Sequence, residues 1–175
     1  MNLTWDSCYD GKYETEVPDI KLKKEGQGCP RMKIMIMDGQ GGGVGRSLVE
    51  ALRARYSDAE LIAVGTNATA TANMMKGGTS IGATGENAVV YNSVRADVIL
   101  GPIGIIMANA MLGEITPRMA EAVASSNAPI LLIPMSRCNA QIMGVEERKL
   151  ADNIREAVER VGQLEEPEAK AAKGQ

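Results

Sequence analysis

IMIMDGQGGGVGRSLVEAL, residues Ile34 to Leu52, is the stretch that decides the fold. An apolar run ends in Asp38, five glycines fall between Gly39 and Gly45, and Val44, Leu48 and Leu52 then repeat at helical spacing. Strand, glycine turn, helix is the context in which a glycine motif has physical meaning. Glycines let the backbone turn tightly and approach another group closely, and the helix that follows offers free N–H groups and the positive end of its dipole. A phosphate is the ligand such a turn suits best. The alternative is a tight strand-to-helix corner whose glycines serve packing alone.

The same alternation continues outward. Lys33 to Met37, Glu60 to Val64, Ala88 to Tyr91, Asp97 to Leu100 and Ile130 to Ile133 read as strands. Ala68 to Lys76 reads as a helix stopped by Gly77 and Gly78, and Ile105 to Leu112 as a fully buried helix. Thr116 and Pro117 have the cap and first-position chemistry of another helix start. Leu150, Ile154, Val158 and Val161 predict a last amphipathic helix. Alternating strands and helices predict a three-layer, Rossmann-like α/β domain over residues 32–162, with a mainly parallel sheet of about five strands. Residues 1–31 read as an extension, with Met32 as an alternative start, and residues 163–175 as a charged, disordered tail.

Composition narrows the function. Net charge is −3, aromatic content is 3%, and no basic run stands out, which argues against a nucleic-acid partner. The longest apolar stretch, Ile103 to Gly113, is too short to span a bilayer. Three cysteines in 175 residues are no disulfide framework, and with no secretory h-region after Met1 the expected location is the cytoplasm. The chain has no histidine, so it cannot build a Ser-His-Asp triad or a Cys-His pair by itself.

The glycines do not fit G-x-G-x-x-G. Gly39, Gly43 and Gly45 instead resemble the TGxxxGxG turn of short-chain dehydrogenases, for which NAD or NADP would be the cofactor. The chain departs from that family in three ways. Asp38 stands where Thr is usual, no Tyr-x-x-x-Lys exists, and the second strand ends in Gly65, Thr66 and Asn67 rather than in the acidic residue that grips a ribose. The candidate ligand contacts are therefore Gly39, Gln40, Gly41, Gly42, Gly43, Val44 and Gly45 around a phosphate, with Thr66 and Asn67 beside them. Arg46 would add a charge-assisted bond. Asp38 would cap the loop, accept from a ribose hydroxyl or hold a cation.

Other clusters join this site in the same reading. Gly101, Pro102 and Gly104 follow a strand and would form the opposite wall. Arg137, after the last strand, is a further anion contact, and Cys138 beside it is a candidate nucleophile or soft-metal ligand, together with methionines such as Met35, Met37, Met74 and Met75. Core packing is the alternative for those methionines. GATGENA, Gly82 to Ala88, reads as a loop before a strand, which would set it at the opposite sheet edge.

DGQGGGVGR, GTNATATANMM, GATGENA, GPIGI, NAMLGEITP and RCN occur in order, and the chain over Lys33 to Val161 resembles a small bacterial family described only as a domain of unknown function. That resemblance implies a Rossmann-like fold and assigns no activity or catalytic residue. The expected function is binding of a nucleotide or dinucleotide, with catalysis left open and a homo-oligomer as one assembly. A non-catalytic regulatory or assembly module is the alternative, and a soft-metal carrier the third.

Overall fold

The computed structural model describes residues 31–135, 142–146 and 148–165. Five strands, β1 (Lys33–Asp38), β2 (Glu60–Gly65), β3 (Ile81–Thr84), β4 (Val98–Pro102) and β5 (Ile130–Ile133), form one sheet in the order β3-β2-β1-β4-β5. Every strand pair is parallel. Helices α1 (Gly43–Arg55), α2 (Ala68–Met75), α3 (Glu86–Ser93), α4 (Pro117–Ala124) and α5 (Leu150–Glu165) cover its two faces. The Rossmann-like α/β expectation therefore holds.

The alternation of side chains along β1 assigns the faces. Ile34 and Ile36 pack with Leu48, Leu52, Met74 and Val158, which places α1, α2 and α5 on one side. Met35 and Met37 pack with Val89, Ile115, Met119 and Val123, which places α3 and α4 on the other. Burial on both faces explains why the central strand has no polar residue between Lys33 and Asp38. It also settles Met35, Met37 and Met74 as core side chains, each fully buried.

Two expected elements differ. Ala88 to Tyr91 lies inside α3, and the third strand is the earlier IGAT segment. Val89 and Ser93 are the buried residues of α3, an i, i+4 pair that only a helix presents on one side. Val89 and Val90 are β-branched, a strand preference that tertiary packing overrides here. Ile105 to Leu112 is not a helix. A short 3-10 turn covers Ile103–Ile106, and Asn109, Met111, Leu112 and Gly113 then take positive φ values of 64, 56, 61 and 88°. A helix cannot run through left-handed residues.

The chain reverses its direction of growth across the sheet between β1 and β4. Loops at the carboxyl ends of strands at such a switch point border the crevice where open α/β sheets take ligands. Register lines that edge up: Asp38 lies opposite Gly65, and Gly65 opposite Thr84. GATGENA therefore belongs to the carboxyl edge, because its Thr84 ends β3 and its Glu86 starts α3. Among the described residues, no helix is long and apolar enough to cross a membrane.

Candidate functional site

The glycine turn joins β1 to α1, and its first occupant is internal. Gly39 N–H donates to Asp38 Oδ1 and Gly45 N–H to Asp38 Oδ2, both at 2.8 Å. Asp38 is 4% exposed, and its carboxylate caps the turn at the N-terminal end of α1. Burial raises its pKa above the ordinary 3.8, against the lowering effect of N–H groups from Gly45, Gly39 and Val44; the nearby charge of Glu114 adds to the rise.

The glycines divide by what surrounds them. Gly42 has φ +66°, and a Cβ there would stand 2.5 Å from the Ala70 carbonyl oxygen. A Cβ at Gly45 would meet Met74 Cγ and Asp38 Cβ at 2.8 Å, and one at Gly39 would meet Met111 Sδ at 2.6 Å. The protein's own atoms fill the space at all three, backbone at Gly42 and side chains at Gly39 and Gly45. A Cβ at Gly41 or Gly43 would meet nothing within 4 Å, and neither φ is left-handed. Gln40 also takes a positive φ of 50°.

The N–H groups divide the same way. Gly42 N–H bonds Gly39 O at 2.9 Å, and Gln40 N–H bonds Glu114 Oε2 at 2.8 Å. Among the described residues Gly41 and Gly43 N–H have no partner. Arg46, one turn into α1, pairs with Glu50 at 2.8 Å and reaches Asn73 Oδ1 at 3.4 Å, while Asn73 Nδ2 donates to Gly41 O. Both members of the Arg46–Glu50 pair are exposed, so the pair holds Arg46 with about 0–1 kcal/mol.

At the end of β2, Asn67 Oδ1 accepts from Ala70 N–H and caps α2. Its Nδ2 donates to Gln40 O and to Glu114 Oε2, at 3.1 and 2.9 Å. Thr66 Oγ1 donates to the same Glu114 oxygen at 2.5 Å. In the sequence Glu114 directly follows the apolar stretch Ile103 to Gly113. The structure puts its carboxylate at the carboxyl end of β2, where the sequence of β2 itself has no acidic residue. The Thr66 hydrogen bond, followed by those from Gln40 and Asn67, holds the Glu114 pKa below its ordinary 4.5 despite partial burial. The signal in the sequence was one carboxylate next to a glycine, Gly113-Glu114, inside an otherwise apolar stretch.

Gly101 and Pro102 end β4, and Gly104 lies in the turn after it, so the GPIG turn sits beside the glycine turn across the switch point. Gly101 is packed against Ile105, at 2.9 Å from a Cβ, and Gly104 against Met111 at 3.3 Å. Further along the edge, Glu86 accepts from Thr116 Oγ1 at 2.6 Å and pairs with Arg118 at 3.5 Å. Arg137 and Cys138 lie outside the described residues.

No curated protein matches the chain. Among solved structures, a dodecameric FMN-dependent Ubix-like decarboxylase from Escherichia coli O157:H7 is similar to it at 19% identity and a TM-score of 0.40, over 75% of this chain and 76% of that one. Nothing is transferred at that TM-score. A family model described as Domain of unknown function (DUF3842) matches residues 33–166, the whole α/β unit with its glycine turn and Glu114. The chain belongs to that family.

Proposed function

We propose that this domain binds a small nucleotide-type ligand at the carboxyl edge of its sheet, with a phosphate against the backbone of Gly41 and Gly43. One observation carries the reading. Gly41 and Gly43 are the two glycines of the turn at which the protein itself does not require glycine. A missing side chain there leaves room for something outside the chain to approach the backbone, and N–H groups so exposed suit an anion. Arg46 supports the reading, because its surface pair is weak enough to exchange Glu50 for a phosphate. NAD or NADP is one candidate ligand within this class, and the cytoplasm the compartment where such a ligand would be met.

The test is calorimetric unfolding with NAD, NADP, ATP, GTP, FMN, FAD, S-adenosylmethionine and coenzyme A, on the wild type and on Gly43→Val. A ligand at about 100 times its Kd stabilises the native state by roughly 2.7 kcal/mol. The expected result is one ligand that raises the wild-type Tm and leaves that of a folded Gly43→Val unchanged. Equal stabilisation of both proteins, or of neither by any ligand, removes the reading.

A regulatory or assembly module is the second reading, favoured by Leu112, which is 97% exposed beside the same edge. Sedimentation equilibrium of the wild type and Leu112→Ser tests it: a wild-type dimer that the substitution dissociates supports it, and a monomeric wild type does not.

A further inference from the structure

The segment from Met107 to Glu114 is tied down at both ends and strained between them. Ile105 and Ile115 are fully buried, and Asn109 N–H bonds Ile115 O at 2.7 Å, which pinches the loop shut. Within it Met111 and Leu112 are left-handed, a conformation unfavourable for residues with a Cβ. Neither strain nor solvent explains the arrangement, since Leu112 gains no burial from it. What the conformation achieves is delivery. Met111 lies over Gly39, and Glu114 reaches 74 residues back along the sequence to Gln40.

The Glu114 carboxylate sits among donors of three kinds, the Gln40 backbone N–H, the Thr66 hydroxyl and the Asn67 amide. All of them converge on Oε2. A backbone N–H, a hydroxyl and a carboxamide set around one anionic oxygen form an anion cradle. None of the three donors is itself charged, so the cradle does not specify a carboxylate over a phosphate. It also adjoins Gly41, whose N–H is unpaired among the described residues.

Resting on the phosphate-binding reading above, we propose that Glu114 is an internal competitor: its carboxylate holds the anion subsite formed by Gln40 N–H, Thr66 and Asn67, and an anionic oxygen of the ligand displaces it, releasing the 107–114 strap. The lowered pKa of Glu114 agrees, because a site that favours the charged form of one carboxylate is a site for anionic oxygen. The strain in Met111 and Leu112 is relieved when the strap lets go, which offsets part of the bonds Glu114 loses. Ligand binding and strap release are then one equilibrium, with affinity reduced by the fraction of closed strap.

The opposite role for Glu114 is direct contact with the ligand, and a single comparison separates them. Inorganic phosphate and sodium acetate are titrated by isothermal calorimetry into the wild type, Glu114→Gln and Glu114→Ala. Glu114→Gln keeps the shape and one acceptor oxygen while removing the charge, so it covers the case in which Glu114→Ala does not fold. The expected result is binding at least tenfold tighter in the variants, lost again when Thr66→Val is added. The arm that tightens, phosphate or acetate, names the anion. Weaker or unchanged binding of both anions overturns the proposal. Hydrogen exchange without any ligand gives a second reading: the hydrogen-bonded amides of Asn109, Gly113 and Glu114 exchange at least tenfold faster in Glu114→Gln than in wild type, and equal protection overturns the strap. If Glu114→Gln gains phosphate while no nucleotide binds the wild type, the nucleotide reading fails and this inference stands. If a nucleotide binds through Gly43 and Glu114→Gln gains nothing, the reverse holds.

Discussion

Replacing Gly42 by alanine tests the division of the glycine turn most directly. Gly42 sits at φ +66° with ψ 23°, just before α1, and its Cα faces the backbone of α2. An alanine there bears a left-handed cost of about 1–2 kcal/mol. Its Cβ would also lie 2.5 Å from Ala70 O and 2.8 Å from Ala70 Cα, atoms of a helix backbone that cannot rotate away. Overpacking of that kind adds about 1–3 kcal/mol. Together these predict a loss of roughly 2–5 kcal/mol, or a drop in Tm on the order of 10 °C for a domain of this size. Differential scanning calorimetry is the suitable assay, because it needs no fluorescent reporter in a chain with a single Trp. Gly43→Ala is the paired control. Its Cβ meets nothing within 4 Å and its φ is not left-handed, so it stabilises by about 0.4–1 kcal/mol through the unfolded chain. A Gly42→Ala protein that melts within about 2 °C of wild type, or a Gly43→Ala protein that melts lower than Gly42→Ala, refutes the assignment of which glycines serve packing.

The two carboxylates of the edge have opposite pH signatures. Glu114 has a lowered pKa, so its contribution is present above 4.5 and is lost as pH falls through its folded-state value; urea unfolding between neutral and acid pH will show this acid limb flattened in Glu114→Gln. Asp38 has a raised pKa, so its contribution is complete below 3.8 and is lost as pH rises through the folded-state value; Asp38→Asn, whatever its absolute stability, removes that part of the profile, and an unchanged profile contradicts the burial argument. Leu112→Gly releases a left-handed residue whose side chain is 97% exposed, and the strain relief of about 1–2 kcal/mol outweighs the roughly 0.5–1 kcal/mol of added chain entropy. Chemical denaturation should find it equal to or slightly more stable than wild type, and a loss above about 1 kcal/mol would show that Leu112 has packing work in the native state.

Long periodic segments were readable from sequence because their burial repeats. Val44, Leu48 and Leu52 drew α1, and the alternating Met35 and Met37 with Ile34 and Ile36 drew a strand buried on two sides. Thr116 caps Met119 N–H at 3.1 Å with Pro117 in first position, as its residue types require. The apolar run from Ile105 to Leu112 was misleading for a physical reason. Hydrophobicity without a polar face does not distinguish a buried helix from a loop pinned by two buried isoleucines, and the left-handed signals, Asn109 and Gly113, were outweighed by the residues between them. β3 was missed because it is a four-residue edge strand whose side chains are largely exposed, so no apolar pattern marks it. At this edge, the glycine turn and the GPIG turn were legible as local strand exits. Glu114 was not, because its meaning comes from Gln40 and Thr66, 74 and 48 residues away.

That separation has a kinetic side. β1 can pair with β2 as soon as the first βαβ unit exists, but its other edge waits for β4, where Ile34 meets Val98. The loop that carries Glu114 comes later still, after β4. Parallel pairings between distant segments form slowly, since chain closure precedes their reward. The glycine turn can therefore take shape early in folding, uncovered, and receives its roof only when the second half of the sheet has docked. The donors of Gln40, Thr66 and Asn67 are then assembled before Glu114 arrives to take them.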